Sequence, residues 1–347
     1  MEVSKRAALL IPFFGKVPVY FRLWAESCRH VPEIDFWILT DIARWPAAPA
    51  NVKFHQVSLS QFERLAAERL GLSLRLSDPY KLCDFKPALG FLFEQLLEPY
   101  DYWGYGDIDQ VFSPSLRTAL QEMVEGDYDV FNTHAAIMHA PFVLLKNTPP
   151  LRELFRCSRD WQAALTDPEY QKFDEAGAKL APLRQMWAAT GWYDGSWSFL
   201  QLPEGKLQEM EPFDCFTSVV HRQATTNGLR VLCQNRCRED LGSSERVWVD
   251  ADGIRDGSGR DFDFYHWVAE KPRRAFTYPD WSKTPPCYYV TRQGFYDAST
   301  PRQNLFKAAF RWCRALYLVV RDRLTFGLHQ HFGLTLDKRW RGQSGFR

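Results

Sequence analysis

Apolar and polar positions in the first part of the chain follow one another in blocks that predict a strand, a helix and a second strand. The continuous apolar run at 7–15 contains Pro12 and ends in Gly15, as is typical of a strand buried on both faces that opens into a loop. A helix is predicted at 19–28 and the second strand at 34–41. This order indicates a βαβ unit, and therefore an α/β fold with a parallel sheet.

The same pattern continues along the chain. Further strands are predicted at 52–57, 100–109, 128–132, 142–147, 247–249 and 262–267, and further helices at 60–70, 85–97, 151–165 and 304–326. Ser60 and Glu63 have the spacing of a capping box, and Pro87 suits the first turn of its helix. This order supports one α/β domain over 1–290 followed by a tail at 302–347, although a chain of 347 residues could also form two smaller domains.

Ligands of a parallel sheet bind beyond the carboxyl ends of its strands. The loop 12–15 is therefore expected on the same edge as Thr40 and Asp41. The strand at 100–109 should end on that edge too, and because strand side chains alternate, Asp107 and Asp109 should point the same way. Two such carboxylates suit one hard divalent cation that keeps coordination positions for substrate phosphates.

Asp-x-Asp spacing alone is weak evidence, because it occurs four times. The pairs are Asp107 and Asp109, Asp127 and Asp129, Asp250 and Asp252, and Asp261 and Asp263. Only the first follows an aromatic and glycine run, in which small residues would let a ligand approach the backbone. The third belongs to an Asp-Gly sequence that predicts a hairpin turn. The alternative for the first pair is a capped strand end.

Other polar groups are candidates for the same site. Lys81, Asp84 and Lys86 lie near the start of the helix predicted at 85–97, where the dipole and free amides favour an anion, unless they form a solvated charged turn. Adjacent Asp174 and Glu175 could act as general base or orient a sugar, or could cap a helix. His266 ends an apolar run. Added to two carboxylates, its imidazole favours manganese-like ions; otherwise it is a core residue.

Composition narrows the class of protein. Aromatic residues make up 15% of the 347 residues and include thirteen Trp, which fits either sugar stacking or core filling. The eight Cys show no paired metal or disulfide motif, so a reducing cytosol is the simplest compartment. The run at 7–14 lacks a signal-peptide cleavage site, and no segment approaches the roughly 18 to 20 apolar residues of a membrane span.

Charge is concentrated at one end. Net charge is +1, yet residues 302–347 hold ten Lys or Arg against two Asp, a net +8. The apolar stripe of the helix predicted at 304–326 contains Phe306, Ala309, Phe310, Cys313, Leu316, Tyr317, Val320 and Leu324, and its basic stripe contains Lys307, Arg311, Arg314 and Arg321. Such a tail either lies on an anionic membrane surface or packs on the domain with its basic face solvated.

Seven segments, in one order, resemble a bacterial family of glycosyltransferase-like proteins that was formerly a domain of unknown function. They are 10–16, 34–41, 79–87, 102–112, 146–149, 173–175 and 265–267. The resemblance implies a GT-A fold with a mixed, mostly parallel central sheet flanked by helices. It also implies a nucleotide-diphosphate sugar donor, used in surface polysaccharide synthesis such as that of lipopolysaccharide or capsule.

The segment 266–272 is similar to the His…Lys-Pro segment of glycogenin-like retaining enzymes, in which the His binds metal and the Lys binds phosphate. Here the spacing is one residue shorter and the internal Gly is missing. The resemblance implies these roles for His266 and Lys271.

Together these observations predict a metal-dependent, hexosyltransferase-like glycosyltransferase acting on a glycan or lipid-linked acceptor. The predicted ligands of Mn²⁺ or Mg²⁺ are Asp107, Asp109 and His266. The predicted donor-binding residues are Pro12, Phe13, Phe14, Gly15, Thr40, Asp41, Lys81, Asp84, Lys86, Asp107 and Lys271. An inverting reaction would use Asp174 or Glu175 as base, whereas a retaining one needs no such base.

The expected location is cytoplasmic, with peripheral attachment to the inner face of the cytoplasmic membrane through 302–347, and no nucleic-acid partner is expected. Two alternatives remain. One is an inactive GT-A-fold module that binds glycans, and the other is a nucleotidyltransferase, which the lack of a Walker-type Gly-rich loop disfavours.

Overall fold

The computed structural model describes residues 7–135, 137–175, 199–202, 207, 209, 213–242, 245–273, 276–279, 281–301, 304, 306–307, 309–311, 313 and 316–317. The chain forms two compact units, one of Met1–Gln110 and Ser115–Cys237, the other of Val111–Pro114 and Arg238–Arg347. Their boundary falls inside the range 1–290 that the sequence predicts as one domain. The predicted tail beyond Tyr317, with its Arg321, lies outside the described residues, as does Arg314.

The first unit follows the predicted order of strands and helices. In chain order its elements are β1 (Ala7–Pro12), α1 (Phe21–Ser27), β2 (Ile34–Thr40), β3 (Val52–Gln56), α2 (Leu59–Leu70), α3 (Leu89–Leu92), α4 (Glu94–Leu97) and β4 (Tyr102–Gly106), then, after β5 (Gln110–Phe112), α5 (Leu116–Glu125), β6 (Val130–Asn132), β7 (Phe142–Lys146), α6 (Pro149–Arg152), α7 (Trp161–Thr166), α8 (Phe216–Thr226) and β8 (Val231–Cys233). Short 3₁₀ helices lie at Cys28–His30, Pro79–Ala88, Leu154–Cys157 and Phe199–Gln201.

A seven-stranded sheet forms the centre of the described part of this unit, in the order β3-β2-β1-β4-β7-β6-β8. The first four strands are parallel, β7 runs antiparallel to β4 and β6, and β8 is parallel to β6. Residues Ala7 to Ile11 of β1 are buried on both faces, as its apolar run predicts. The sheet is mixed and mostly parallel, with helices flanking it, which confirms the α/β prediction.

The glycines of β4 do not serve the purpose expected from the sequence. A Cβ on Gly104 would meet the Val143 carbonyl oxygen of β7, and one on Gly106 would lie 2.7 Å from the Pro141 carbonyl oxygen and 2.8 Å from Leu9 Cδ2. Protein atoms fill the space that we expected a ligand to approach. That expectation is therefore wrong, and these glycines permit close packing between strands instead.

Two helix starts also differ from the prediction. Ser58 caps α2 and forms a capping box with Gln61, two residues before the predicted Ser60 cap. The same spacing occurs twice in this stretch, and Glu63 instead accepts a bond from the Leu76 amide. Further on, the 3₁₀ helix Pro79–Ala88 precedes α3, so Pro87 lies inside a helix rather than in the first turn of one.

Short strands build the second unit. They are β9 (Cys237–Arg238), β10 (Val247–Val249), β11 (Ile254–Asp256), β12 (Asp261–Phe262), β13 (Phe264–His266), β14 (Tyr288–Thr291) and β15 (Gly294–Asp297). One antiparallel sheet has the order β12-β11-β10-β14-β15, and a three-stranded sheet has the order β5-β13-β9. The predicted Asp-Gly hairpin is confirmed, because the Asp250 amide donates to the Gly253 carbonyl at 3.0 Å between β10 and β11.

Glu270 is a buried carboxyl in this unit. The Tyr265 hydroxyl donates to its Oε2 at 3.1 Å and the Leu241 amide to its Oε1 at 3.2 Å. Burial outweighs these bonds and raises the pKa of Glu270 from 4.5 to about 7. The folded chain therefore keeps this proton over a pH range in which the unfolded chain has lost it. Stability falls as pH rises from about 4.5 to about 7.

Replacing Glu270 with Gln should remove this component of the pH dependence, because the amide cannot ionise. The free energy of unfolding, measured in urea at pH 5 and pH 8, should then fall less with pH than in the wild type. Asp261→Asn, at an exposed position of the same unit, is the control and should retain the wild-type difference. An unchanged pH dependence in Glu270→Gln would mean that this carboxyl ionises normally.

No helix in the described part of the chain combines the length and the apolar character needed to cross a membrane.

Candidate functional site

The carboxyl ends of β1, β2 and β4 lie on one edge of the first unit's sheet, as the sequence predicts. β1 pairs in parallel with both of the other strands. The Phe13 amide donates to the Leu39 carbonyl at 2.9 Å, and the Gly15 amide donates to Asp41 Oδ1 at 3.2 Å. Gly15 has a φ of +100°, which favours glycine. The loop 12–15 therefore meets the turn at Asp41.

The residues of this loop differ in what they offer a ligand. Phe14 is buried and packs edge to face against Phe62, with ring centroids 6.4 Å apart, so its ring belongs to the core. Pro12 and Phe13 are half-buried, and Gly15 and Asp41 are exposed. The backbone and the Phe13 ring, rather than Phe14, are the groups that a bound molecule could contact here. Thr40 is buried, and its hydroxyl accepts a bond from the Ile42 amide at 3.0 Å.

The acidic pair follows β4 instead of belonging to it, because the strand ends at Gly106. Strand alternation therefore does not set the direction of the two side chains. Asp107 keeps 29% of its side chain exposed, whereas Asp109 is buried. Burial raises the pKa of the Tyr20 hydroxyl, and Asp109 and then Asp107 raise it further. Asp107 and Asp109 lie near each other, because a carboxylate oxygen of one is within 4.8 Å of a carboxylate oxygen of the other.

Lys86 joins the acidic pair to a second acidic position. Its Nζ lies 2.8 Å from Asp107 Oδ1 and 3.6 Å from Asp174 Oδ2, and it also donates to the Ala140 carbonyl at 3.4 Å. Burial disfavours its charge, but the surrounding negative groups, Asp107 foremost, hold the pKa of Lys86 well above its usual value. Lys86 is thus a buried cation between two carboxyl groups.

Asp174 has one satisfied and one unsatisfied oxygen. The Tyr170 hydroxyl donates to Oδ1 at 2.9 Å, while Oδ2 has no hydrogen-bond partner in the described part of the chain. Burial raises the pKa of Asp174 well above its usual value, although Lys86 acts against this. The buried Tyr105 hydroxyl also lacks a hydrogen-bond partner among the described residues. A carboxyl whose pKa is raised is suited to accept a proton from a ligand hydroxyl.

Lys81 and Asp84 form a buried ion pair whose donors and acceptors are already used. Lys81 Nζ donates to Asp84 Oδ2 at 2.7 Å, to the Ala164 carbonyl at 2.5 Å and to the Glu169 carbonyl at 2.8 Å. An ammonium group has three protons, so none remains for a phosphate. The donor-binding role predicted for Lys81 is therefore not supported by these contacts.

Asp84 fixes the backbone that leads to Asp174. Its Oδ2 accepts from the Gln171 amide and its Oδ1 from the Phe173 amide, each at 2.8 Å. These bonds hold the residues immediately before Asp174. Asp84 thus positions a candidate site residue instead of contacting a donor. Glu175 is half-buried beside Asp174, and its carbonyl accepts from the Thr217 amide at 3.2 Å.

His266 ends β13 in the second unit and is buried. Its Nδ1 lies 2.7 Å from Glu239 Oε1. An ionised carboxylate only accepts hydrogen bonds, so Nδ1 carries the proton, which leaves the lone pair of a neutral ring on Nε2. Histidines that bind metals are commonly held in this way by a carboxylate.

β5 lies beside β13 in the three-stranded sheet. The Ser113 amide, just after β5, donates to the carbonyl of Asp263, just before β13, at 2.8 Å, and the Phe112 and Phe264 rings lie 6.2 Å apart. The end of β5 therefore meets the start of β13, so the two strands run antiparallel. Along the chain, β5 begins directly after Asp109.

Lys271 is exposed on the turn that follows β13, where its amide donates to the Trp267 carbonyl at 3.1 Å.

Three further residues were not found by sequence reasoning: Tyr20 beside the acidic pair, Tyr170 on Asp174, and Glu239 on His266. The four-residue spacing of Tyr170 and Asp174 is the only local signal among them, and it is a weak one.

The fold and these groups define a class: an α/β protein with a carboxylate pair at the carboxyl edge of a mostly parallel sheet. The chain belongs to a family of unknown function, DUF6625, which matches residues 9–195. The matched range contains Asp107, Asp109 and Asp174 but neither His266 nor Lys271. None of the curated proteins matches the chain.

Proposed function

We propose that the chain is a metal-dependent glycosyltransferase with a GT-A fold. It transfers a sugar from a nucleotide-diphosphate donor to a glycan or lipid-linked acceptor. The observation that carries this proposal is the acidic pair at the carboxyl edge of the sheet, linked through Lys86 to the buried carboxyl of Asp174. Ligands of such sheets bind at this edge, and carboxylates there suit a cation that is shared with phosphates.

The proposed cation ligands are Asp107, Asp109 and His266. One observation supports His266 in this set: its Nδ1 contact with Glu239 leaves Nε2 as the acceptor nitrogen of a neutral ring. Carboxylate oxygens fit Mg²⁺ or Mn²⁺, and the added imidazole favours Mn²⁺. When bound, the cation supplies positive charge that neutralises the diphosphate leaving group.

The remaining contacts with the donor are assigned to loops at the carboxyl edge of the first unit's sheet and to the exposed side chain of Lys271. The loop 12–15 and the turn at Thr40 and Asp41 lie together at the ends of β1 and β2, and there they would hold base and ribose. Lys271 would contact the phosphates, as its resemblance to the His…Lys-Pro segment implies. Lys86 would instead balance the negative charge of Asp107, because its ammonium already pairs with that carboxylate.

Asp174 is the proposed proton acceptor if transfer inverts the anomeric centre. Its unsatisfied Oδ2 and its raised pKa support this role, and Glu175 would orient the acceptor. A retaining reaction needs no such base, and Asp174 would then only position the sugar. The anomeric configuration of the product, read by NMR, separates the two mechanisms.

A mass-spectrometric screen of nucleotide sugars with and without Mn²⁺ tests the proposal. We expect at least one donor to release nucleoside diphosphate in a reaction that chelation stops. A nucleotidyltransferase would release nucleoside monophosphate or pyrophosphate instead. A glycan-binding module would hydrolyse no donor, and calorimetry would show no metal-dependent affinity for nucleotides.

Replacing Glu239 with Gln tests the assignment of His266 as a ligand. Loss of a carboxylate that orients a metal-bound histidine typically weakens metal binding by about 10- to 100-fold. We expect a weakening of this size in Mn²⁺ titrations followed by electron paramagnetic resonance. The control is Asp240→Asn, because the neighbouring Asp240 is 65% exposed and its ion pairs with Arg273 and Arg292 are long, at 3.6 Å and 4.0 Å. Equal affinities in the two variants would remove His266 from the site.

A further inference from the structure

The start of the predicted tail packs on the second unit through its polar side. The described residues between Pro301 and Tyr317 are helical. Asn304 is buried, and Lys307 and Arg311 are half-buried. Their spacing of three and four places them on one face of a helix. This face is polar and basic, yet it is the one that turns inward.

Contacts with β15 explain this orientation. Asn304 Nδ2 donates to the Asp297 carbonyl at 2.5 Å, at the end of the strand. Arg311 donates to the Phe295 carbonyl at 3.3 Å, and its guanidinium lies 4.5 Å from the centre of the Tyr296 ring. Hydrogen bonds and a cation–π contact therefore attach the helix to the sheet.

The opposite face of the helix is apolar and exposed. Phe306 is 80% exposed, Phe310 70% and Tyr317 65%, and Cys313 between them is exposed as well. Spacings of four, three and four residues align these side chains in one stripe. Ala309 and Leu316, beside the stripe, are also exposed. For the described residues, the expectation that the apolar stripe packs on the domain with the basic face outward is therefore wrong.

We propose that this stripe, Phe306, Phe310, Cys313 and Tyr317, binds an anionic lipid surface, with the helix lying in the plane of the interface. Aromatic side chains are favoured at the boundary between lipid headgroups and acyl chains. The segment 302–347 carries a net charge of +8, which complements anionic headgroups. A second copy of the chain would bring a like charge against this charge, which disfavours self-association through the same face.

Binding of this stripe to lipid does not depend on the proposed reaction. The lipid-binding surface belongs to the second unit, on the side of the helix that faces away from β15. If the proposed reaction is also correct, a lipid-linked acceptor would be presented at the same interface.

Flotation of the full chain with vesicles tests the inference. We expect the protein to float with phosphatidylcholine vesicles that contain phosphatidylglycerol, to float much less with phosphatidylcholine alone, and to lose binding as salt is raised. Phe306→Ser combined with Phe310→Ser should lower the partition coefficient roughly tenfold or more, because the variant lacks two aromatic side chains that would be buried in the lipid interface. Val19→Ser, at a 71% exposed position of the first unit, should bind like the wild type.

Both Phe side chains are exposed, so the double variant should melt at the wild-type temperature, and a loss of binding then reports on the surface alone. Equal flotation with neutral and anionic vesicles, or unchanged flotation of the double variant, would overturn the proposal. So would light scattering that shows a wild-type dimer and a monomeric double variant, since the stripe would then bind a second copy.

Discussion

Replacing Asp109 with Asn is expected to lower metal-dependent turnover of the nucleotide-sugar donor by about a hundredfold or more. The change removes a proposed carboxylate ligand of the cation, so the positive charge that would neutralise the developing charge of the diphosphate is held less well. Loss of a single electrostatic contact to the transition state commonly costs about this much. Asn has nearly the same shape as Asp, so the buried position should be filled as before. The measurement is the initial rate of nucleoside diphosphate release at saturating Mn²⁺.

The chain supplies a matched control for this variant. Asp252 belongs to another Asp-x-Asp pair, but it lies exposed in the hairpin between β10 and β11. Asp252→Asn removes the same charge by the same substitution and should leave turnover unchanged. Wild-type turnover in Asp109→Asn, with the donor and metal saturating, would contradict a metal-binding role for this residue.

Replacing Lys86 with Met is expected to lower the free energy of unfolding by about 3 kcal/mol at neutral pH. Lys86 is buried between Asp107 and Asp174, and its loss deprives the buried Asp174 carboxyl of this cation. The pKa of Asp174 is already raised by burial, and without Lys86 it should rise further. Urea unfolding followed by tryptophan fluorescence measures the change.

Two comparisons make this result specific. Lys146→Met removes the same side chain from an ion pair with Asp127 whose partners are 34% and 68% exposed, and it should cost at most about 1 kcal/mol. Adding Asp174→Asn to Lys86→Met should restore part of the lost stability, because the uncompensated carboxyl is removed as well. If Lys86→Met unfolds at the wild-type urea concentration, the buried cation does not hold these carboxyl groups together.

Local patterns in the sequence were sufficient for the parts of the fold that depend on neighbouring residues. The apolar run of β1, the strand–helix–strand order and the Asp-Gly hairpin were all predicted correctly. The meeting of the loop 12–15 with Asp41 was also predicted, because the ends of parallel strands must share an edge. These features follow from periodicity and from turn chemistry.

Features set by distant parts of the chain were not predictable in this way. Gly104 is required by the Val143 carbonyl of a strand about forty residues further on, and a run of glycines gives no sign of that partner. Lys81 and Asp84 were expected at a helix end facing an anion, but they bind carbonyl and amide groups that lie more than eighty residues away. Burial of a charged pair depends on packing, which charge spacing does not encode.

The tail shows the same limit for an amphipathic helix. Helical spacing correctly separated the apolar residues from Lys307 and Arg311, but it could not say which stripe faces the protein. That choice depends on the aromatic and carbonyl groups that β15 presents to the helix. Here the sheet offers partners for a guanidinium and an amide, so the polar stripe turns inward.

Anomalous X-ray scattering from crystals grown with Mn²⁺ and a nucleoside diphosphate tests the central claim most directly. We expect one strong manganese peak at the carboxyl edge of the sheet, within bonding distance of Asp109 and of the diphosphate oxygens. A nucleotide bound at that edge with no manganese peak beside Asp109, or a manganese peak at another place in the protein, would contradict it.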